Sequence, residues 1–314
     1  MKIVNGTVWK DTDGNVIHAH GGHILKHQGV YYWYGENRLD QLYVSCYSSK
    51  DLVNWKFENH VLTCDSPTEA TRVRADLKLR NENGGKVNIE RPKVVYDPVN
   101  GKFVMWMHYE NGIDYHCAAA AVATCDTPTG DFVYHGSFRP YGEMSRDCTL
   151  FRDGDRVYFL SSSRNNADMH MYLLQEDCLN VQNMCGNFWP GEFREAPALV
   201  KKDGLYYAFT SFCTGWDPNQ AKYAKTRALE DGFGMLSLIG DSTTYRSQPA
   251  FILTVSGSET TSYLYVGDRW DGKNYTNSRY VWYPLIFKED GTVELVDCQE
   301  LDVDAQSGRV TVIR

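Results

Sequence analysis

Short apolar runs alternate with polar turns along nearly the whole chain, and helical periodicity is scarce. The recurring unit is a polar residue, a short apolar strand, a turn and a strand rich in Tyr, Trp or Phe. It reads HGGHILKHQGVYYWYGE from His20, ERPKVVYDPVNGKFVMWMHYE from Glu90, DCTLFRDGDRVYFLSSS from Asp147 and EAPALVKKDGLYYAFTS from Glu195. A looser copy, SQPAFILTVSGSETTSYLYVGD, carries Gln248. Turns such as Asp153-Gly154 and Asp203-Gly204 suit tight hairpins, because glycine accepts the positive φ they need. Pro92, Pro197 and Pro249 follow the opening residue in three copies, where a strand start tolerates a missing N–H.

The openers recur roughly every 50 to 70 residues, enough for one four-stranded blade each. The fold predicted is all-β, a five-bladed β-propeller forming a single catalytic domain over residues 1–314. Innermost strands line the axis of such a ring, so the five openers would surround one mouth of its channel. Between the copies lie outer segments such as KDLVNWKFENHVL, whose Trp55 and Phe57 are expected to pack between blades. The charged, Gly-containing stretch 72–86 reads as an inserted loop, and the chain is expected to end with its last blade.

Composition narrows the partners. Aromatics make up 13% of residues, including 21 Tyr and 8 Trp, which suits stacking on sugar faces. The net charge of −8 and the lack of a basic stripe argue against nucleic acid. The longest apolar run, around Cys117 to Ala123, falls far short of the ~20 residues of a membrane helix. MKIVNGTVWKDTDG contains no apolar signal core, so a cytoplasmic location is expected. Nine scattered cysteines with no C-x-x-C pair read as reduced thiols.

Glycoside hydrolysis uses two carboxyl groups flanking the bond. Glu195, Glu90 and Asp147 are the candidates that the repeat brings to one mouth. Glu195 opens an apolar strand, and desolvation there would raise its pKa as a proton donor requires. Asp147, one blade away, would raise it further. The bland alternative is that these acids cap strands or pair with Arg91, Arg146 and Arg194. His20 and His23 flank Gly21-Gly22, and with His18 they leave a metal open. A hydrogen-bonding role for His20 at the mouth is the stronger reading. Glu36 is a candidate sugar-hydroxyl acceptor or a solvated hairpin end. Trp216 is a stacking platform or a packing residue. Tyr109 and Tyr115 flank another loop at the mouth.

These segments, together with REAPALVKKDGLYYAFTS, CTGWDPN, SQPAFI and GDRW…SRYVWYPL, resemble glycoside hydrolase family 43, in its exo-β-1,3-galactanase-like branch. The resemblance implies inverting release of galactose from the non-reducing end of β-1,3-galactan or galacto-oligosaccharides. It places the general acid on Glu195, its tuning partner on Asp147, the holder of the attacking water on Gln248 and a supporting acid on Glu90. Glu36, Tyr115 and Thr214 would contact the terminal galactose, and Trp216 would stack on the next sugar. Most of the family places an Asp base at the start of the first blade. Here Ala19-His20-Gly21-Gly22 has no carboxylate, so the base is open between Gln248, through an imidic-acid tautomer, and Glu90. His23 stands where a third glycine is expected. No cofactor is required by this chemistry; a structural metal ion in the channel stays open. A monomer is expected. Rival readings are an arabinofuranosidase or xylosidase of the same family, a non-catalytic sugar-binding propeller and a protein-interaction propeller.

Overall fold

The computed structural model describes residues 2–313 and is all-β. Five four-stranded antiparallel sheets follow one another along the chain, each a meander. Their first strands are His20–His27, Asn88–Asp97, Cys148–Asp153, Arg194–Lys202 and Gln248–Ser256. Each first strand packs against those of the sheets before and after it, and the fifth returns to the first. The five strands therefore surround one axis, and the polar openers meet at one end of it. The stretch 72–86 joins the first sheet to the second and lies against the second sheet's outermost strand, with Asp76 bridged to Ser137.

The chain does not end with its last four-stranded sheet, as the repeat suggested. Glu300–Asp304 and Arg309–Ile313 form a hairpin, and Lys2–Val4 pairs along its free side, making a sixth sheet of three strands. Beside it Asn5 imitates a neighbouring strand. Its side chain accepts from the Trp282 amide at 2.7 Å and donates to the Trp282 carbonyl at 2.8 Å.

The seam between the first and fifth sheets is aromatic. Trp33 packs edge-on to Trp55 with ring centroids 5.2 Å apart and to Tyr280 at 4.8 Å, while Trp9 meets Trp282 at 5.4 Å. Trp55 lies between these sheets, and Phe57 is only half-buried against Tyr47 and His60. Trp282 is fully buried at the centre of the seam. Its replacement by alanine should cost about 3–5 kcal/mol, as for other buried large-to-small changes. Urea unfolding of the purified variant measures this. All nine cysteines are free. Among the described residues no helix is long and apolar enough to cross a membrane.

Candidate active site

The site is made where the first strands break register. The breaks fall between His20 and His23, Glu90 and Lys93, Glu195 and Ala198, and Pro249 and Phe251. The prolines thus mark β-bulges rather than plain strand starts, and a bulge re-aims the side chain next to it. In three sheets the extra residue is left-handed: Gly21 (φ +56°), Arg91 (φ +53°) and Ala196 (φ +51°). That conformation is costly for Arg and Ala and needs support. Each bulge amide donates to a carboxylate of the preceding sheet in the ring. Gly21 N reaches Asp268 Oδ2 at 2.9 Å, Arg91 N reaches Glu36 Oε1 at 3.0 Å, and Ala196 N reaches Asp147 Oδ2 at 3.1 Å.

Four of the five openers, Glu90, Asp147, Glu195 and Gln248, line a cavity of about 280 Å³, with Glu36 and Arg91 among the further lining residues. Glu195 is the carboxyl group in it whose pKa is raised. Burial, and then the charge of Asp147, push its pKa up to about 7 against the pull of Arg91. Asp147 pairs with the buried Arg91 guanidinium at 3.0 Å. Arg91 also donates to the Pro249 carbonyl at 2.9 Å and to Gln248 Oε1, which ties the second, third and fifth sheets together.

Glu90 sits in the opposite electrostatic situation. Tyr115 OH donates to its Oε1 at 2.7 Å and Arg38 at 3.0 Å, and His108 Nδ1 faces its Oε2 at 3.3 Å. Burial would raise its pKa, but Arg38, then His108 and Tyr115, hold it well below the usual carboxylate range. His108 is wedged between Glu90 and the fully buried Glu110, 2.9 Å from Nε2. Burial opposes its charge, yet hydrogen bonds to Glu110 and Glu90 outweigh this and raise it to about 9. One pocket therefore contains a carboxyl group raised to about 7 and another held well below the usual range. That division of labour is what acid and base roles require.

Glu90, His108 and Asp147 each offer a ligand atom within 4.8 Å of the others, the group among the described residues with metal-holding geometry. Both carboxylates are already matched by guanidinium groups, from Arg38 and Arg91. His18, His20 and His23 do not converge. His20, expected at the mouth, does not line the cavity; it is buried, bonded to Asp268 at 2.8 Å and stacked on Tyr280. His23 lies deeper against Phe251, and burial pushes its pKa down to about 3.

The other expected contacts divide. Glu36, Tyr115 and Trp216 line the cavity, and Glu36 is clamped by Arg38 at 2.8 Å. Trp216 is 44% exposed at the rim and edge-on to Trp270. Thr214 does not line the cavity. Its hydroxyl donates to the Asp217 carbonyl and accepts from Asn219, both inside its own loop. Tyr109 is buried in the core of the second sheet. Among the described residues Arg194 pairs with no acid; its guanidinium is turned inward to Thr210. Arg38, His108, Asn166 and Trp270 line the cavity without having been singled out from the sequence. A signal for His108 existed. It lies opposite Glu90 in the strand pair, as Glu36, Ser211 and Asp268 lie opposite His20, Glu195 and Gln248.

Residues 16–233 match the family described as glycosyl hydrolases family 43. An exo-β-1,3-galactanase from Clostridium thermocellum is 49% identical with a TM-score of 0.91, over 99% of this chain and 68% of that one. An exo-β-1,3-galactanase from Phanerochaete chrysosporium, solved with galactose, is 34% identical with a TM-score of 0.87, over 100% of this chain and 71% of that one. A β-1,3-galactosidase solved with galactodeoxynojirimycin is 32% identical with a TM-score of 0.81, over 95% of this chain and 99% of that one. No curated protein sequence matches the chain.

Proposed function

The chain belongs to glycosyl hydrolases family 43 and is a glycoside hydrolase, and we propose that it releases galactose from the non-reducing end of β-1,3-linked galactan or galacto-oligosaccharides with inversion. The observation that carries this is the pairing, in one cavity, of Glu195 near its neutral form with Glu90 held ionised. The five four-stranded sheets are read as the five blades of a propeller, with the three-stranded sheet as a clasp outside them.

In the proposed reaction Glu195 gives its proton to the glycosidic oxygen as the C1–O bond breaks. Water attacks C1 from the opposite face and passes its proton to Glu90, leaving α-galactose and a shortened acceptor. Asp147 keeps Glu195 protonated and, through the Ala196 amide, fixes the bulge that aims it. Glu36, Arg38 and Tyr115 supply acceptors and donors for galactose hydroxyls, and Trp216 an apolar face beside them. No cofactor enters this scheme.

Incubation with β-1,3-galactobiose, followed by NMR from the first turnovers, tests the proposal. The anomeric signal expected first is that of α-galactose. Initial β-galactose would contradict inversion, and no cleavage would contradict the substrate.

A further inference from the structure

Lys93 is fully buried, yet it belongs to neither of two cavities that the ring encloses. The first is the cavity of the openers. The second, of about 630 Å³, is lined further along all five first strands, by Leu25, Val95, Leu150, Leu199 and Ile252 among others. Arg91 lines the first and Val94 the second; Lys93 stands between them in its strand and lines neither.

The ammonium is committed to backbone. Nζ donates to the Gly21 carbonyl at 2.7 Å and to the Arg91 carbonyl at 3.3 Å. These are the left-handed bulge residues of the first and second sheets. Each is gripped on both sides. Gly21 has Asp268 at its amide and Lys93 at its carbonyl; Arg91 has Glu36 at its amide and Lys93 at its carbonyl. The Val94 amide donates back across the same junction to His23 Nδ1 at 3.4 Å. The two bulges are also tightly packed. A Cβ on Gly21 would stand 3.3 Å from Arg91 Cδ and 2.5 Å from Glu36 Oε1, so a shift of one bulge is felt by the other.

Burial, and then Arg91, push the pKa of Lys93 down to about 8, while Asp147 and Glu36 pull it up. It is therefore protonated at neutral pH. Its other titratable neighbours are uncharged there: burial pushes the Cys148 thiol up to about 12 and His23 down to about 3. A buried charge met by carbonyls alone costs folding free energy, so packing does not account for a lysine at this position. What the ammonium adds is a hold on two strained peptides and a positive charge near Asp147 and Glu36.

We propose that Lys93 is a positioning residue that locks the bulges at Gly21 and Arg91 and so holds the Arg91 guanidinium against Asp147, a role that rests on the reading of Glu195 as the proton donor. Arg91 pairs with Asp147 at 3.0 Å, and Asp147 both supports the bulge beside Glu195 and raises the pKa of that acid. Lys93 thus acts on the donor through two intermediaries and touches no substrate.

Two variants and a pH profile test this on β-1,3-galactobiose. Lys93→Met fills the space without donating a hydrogen bond. It should lower kcat by about 10²-fold, the effect of a remote change that displaces a reacting group by about 1 Å, and leave KM little changed. The pH profile gives a reading that a merely structural role would not move. Burial and Asp147 push Glu195 up to about 7 against the pull of Arg91, so wild-type activity should fall as pH rises through that value. Removing the buried cation and loosening Arg91 both favour the neutral acid, so this limb should move to higher pH in Lys93→Met. The position of the limb does not depend on the fraction of enzyme folded. Lys93→Gln keeps N–H donors without the charge. It should recover part of the lost kcat yet keep the shifted limb, and it provides the pH test should methionine prevent folding. A limb left at the wild-type position, or an unchanged kcat in Lys93→Met, would overturn the proposal while the functional reading stands. Wild-type enzyme inactive on galactobiose would instead remove that reading and the proposal with it.

Discussion

Glu195→Gln is expected to lower kcat/KM on β-1,3-galactobiose by about 10³- to 10⁴-fold, the upper range for loss of a general acid. The sugar leaving group makes the loss large, because an alkoxide departs poorly without a proton. On 2,4-dinitrophenyl β-galactoside the same variant should lose tenfold or less. The pH profile supplies the second reading. Burial and Asp147 push Glu195 up to about 7, and a proton donor must be protonated to act. Wild-type kcat/KM should therefore hold below pH 7 and fall as pH rises through it. Glutamine does not titrate, so the variant should lose this limb. A variant that keeps the limb would assign it to another group, and an equal loss on both substrates would deny Glu195 the donor role.

Glu90→Ala should lower kcat/KM on both substrates by about 10²- to 10⁴-fold, because either leaving group still needs water activated at C1. Azide should restore turnover of the dinitrophenyl substrate and give α-galactosyl azide. Glu90 is a weak base on its own account, since Arg38, His108 and Tyr115 all stabilise its ionised form. Its contribution lies in being ionised and fixed at the pH where Glu195 is still protonated. Attack on an oxocarbenium-like carbon needs the proton to leave late, which a weak base can serve. A purely structural role would show as a raised KM with kcat retained and no product from azide.

The repeat made the openers legible because a ring of like sheets turns sequence spacing into angular position. Glu90, Asp147, Glu195 and Gln248 come together although far apart in the chain. What could not be read was which way each side chain points, since bulges at Arg91 and Ala196 interrupt the two-residue alternation. The second strands held information that was passed over. YYWYGE and YLYVGD end in acids that brace the bulge of the following sheet, Glu36 at Arg91 and Asp268 at Gly21, while His108 of MWMHYE faces Glu90 beside it. Trp270 and Asn166 come from loops, where no periodicity predicts position. Thr214 was expected in the pocket by resemblance, but the Asn219 side chain closes its loop and takes its hydroxyl. The terminal sheet was hidden for another reason. RVTVI alternates as a strand should, but Lys2–Val4 joins its hairpin from the opposite end of the chain.

That terminal clasp determines how the molecule is assembled. Every four-stranded sheet is contiguous in the chain, so the first, second, third and fourth can each settle beside a neighbour soon after synthesis. The junction of the fifth with the first instead joins positions 247 residues apart, Gly21 and Asp268. It gathers the tryptophan cluster, Asn5 and the strands Lys2–Val4 and Glu300–Asp304. Asp268 and Gly21 meet across that junction, whereas Glu195 and Asp147 belong to sheets already joined. The Glu195–Asp147 contact therefore rests on sheets neighbouring in sequence, and the surroundings of His20 on the contact that closes the ring.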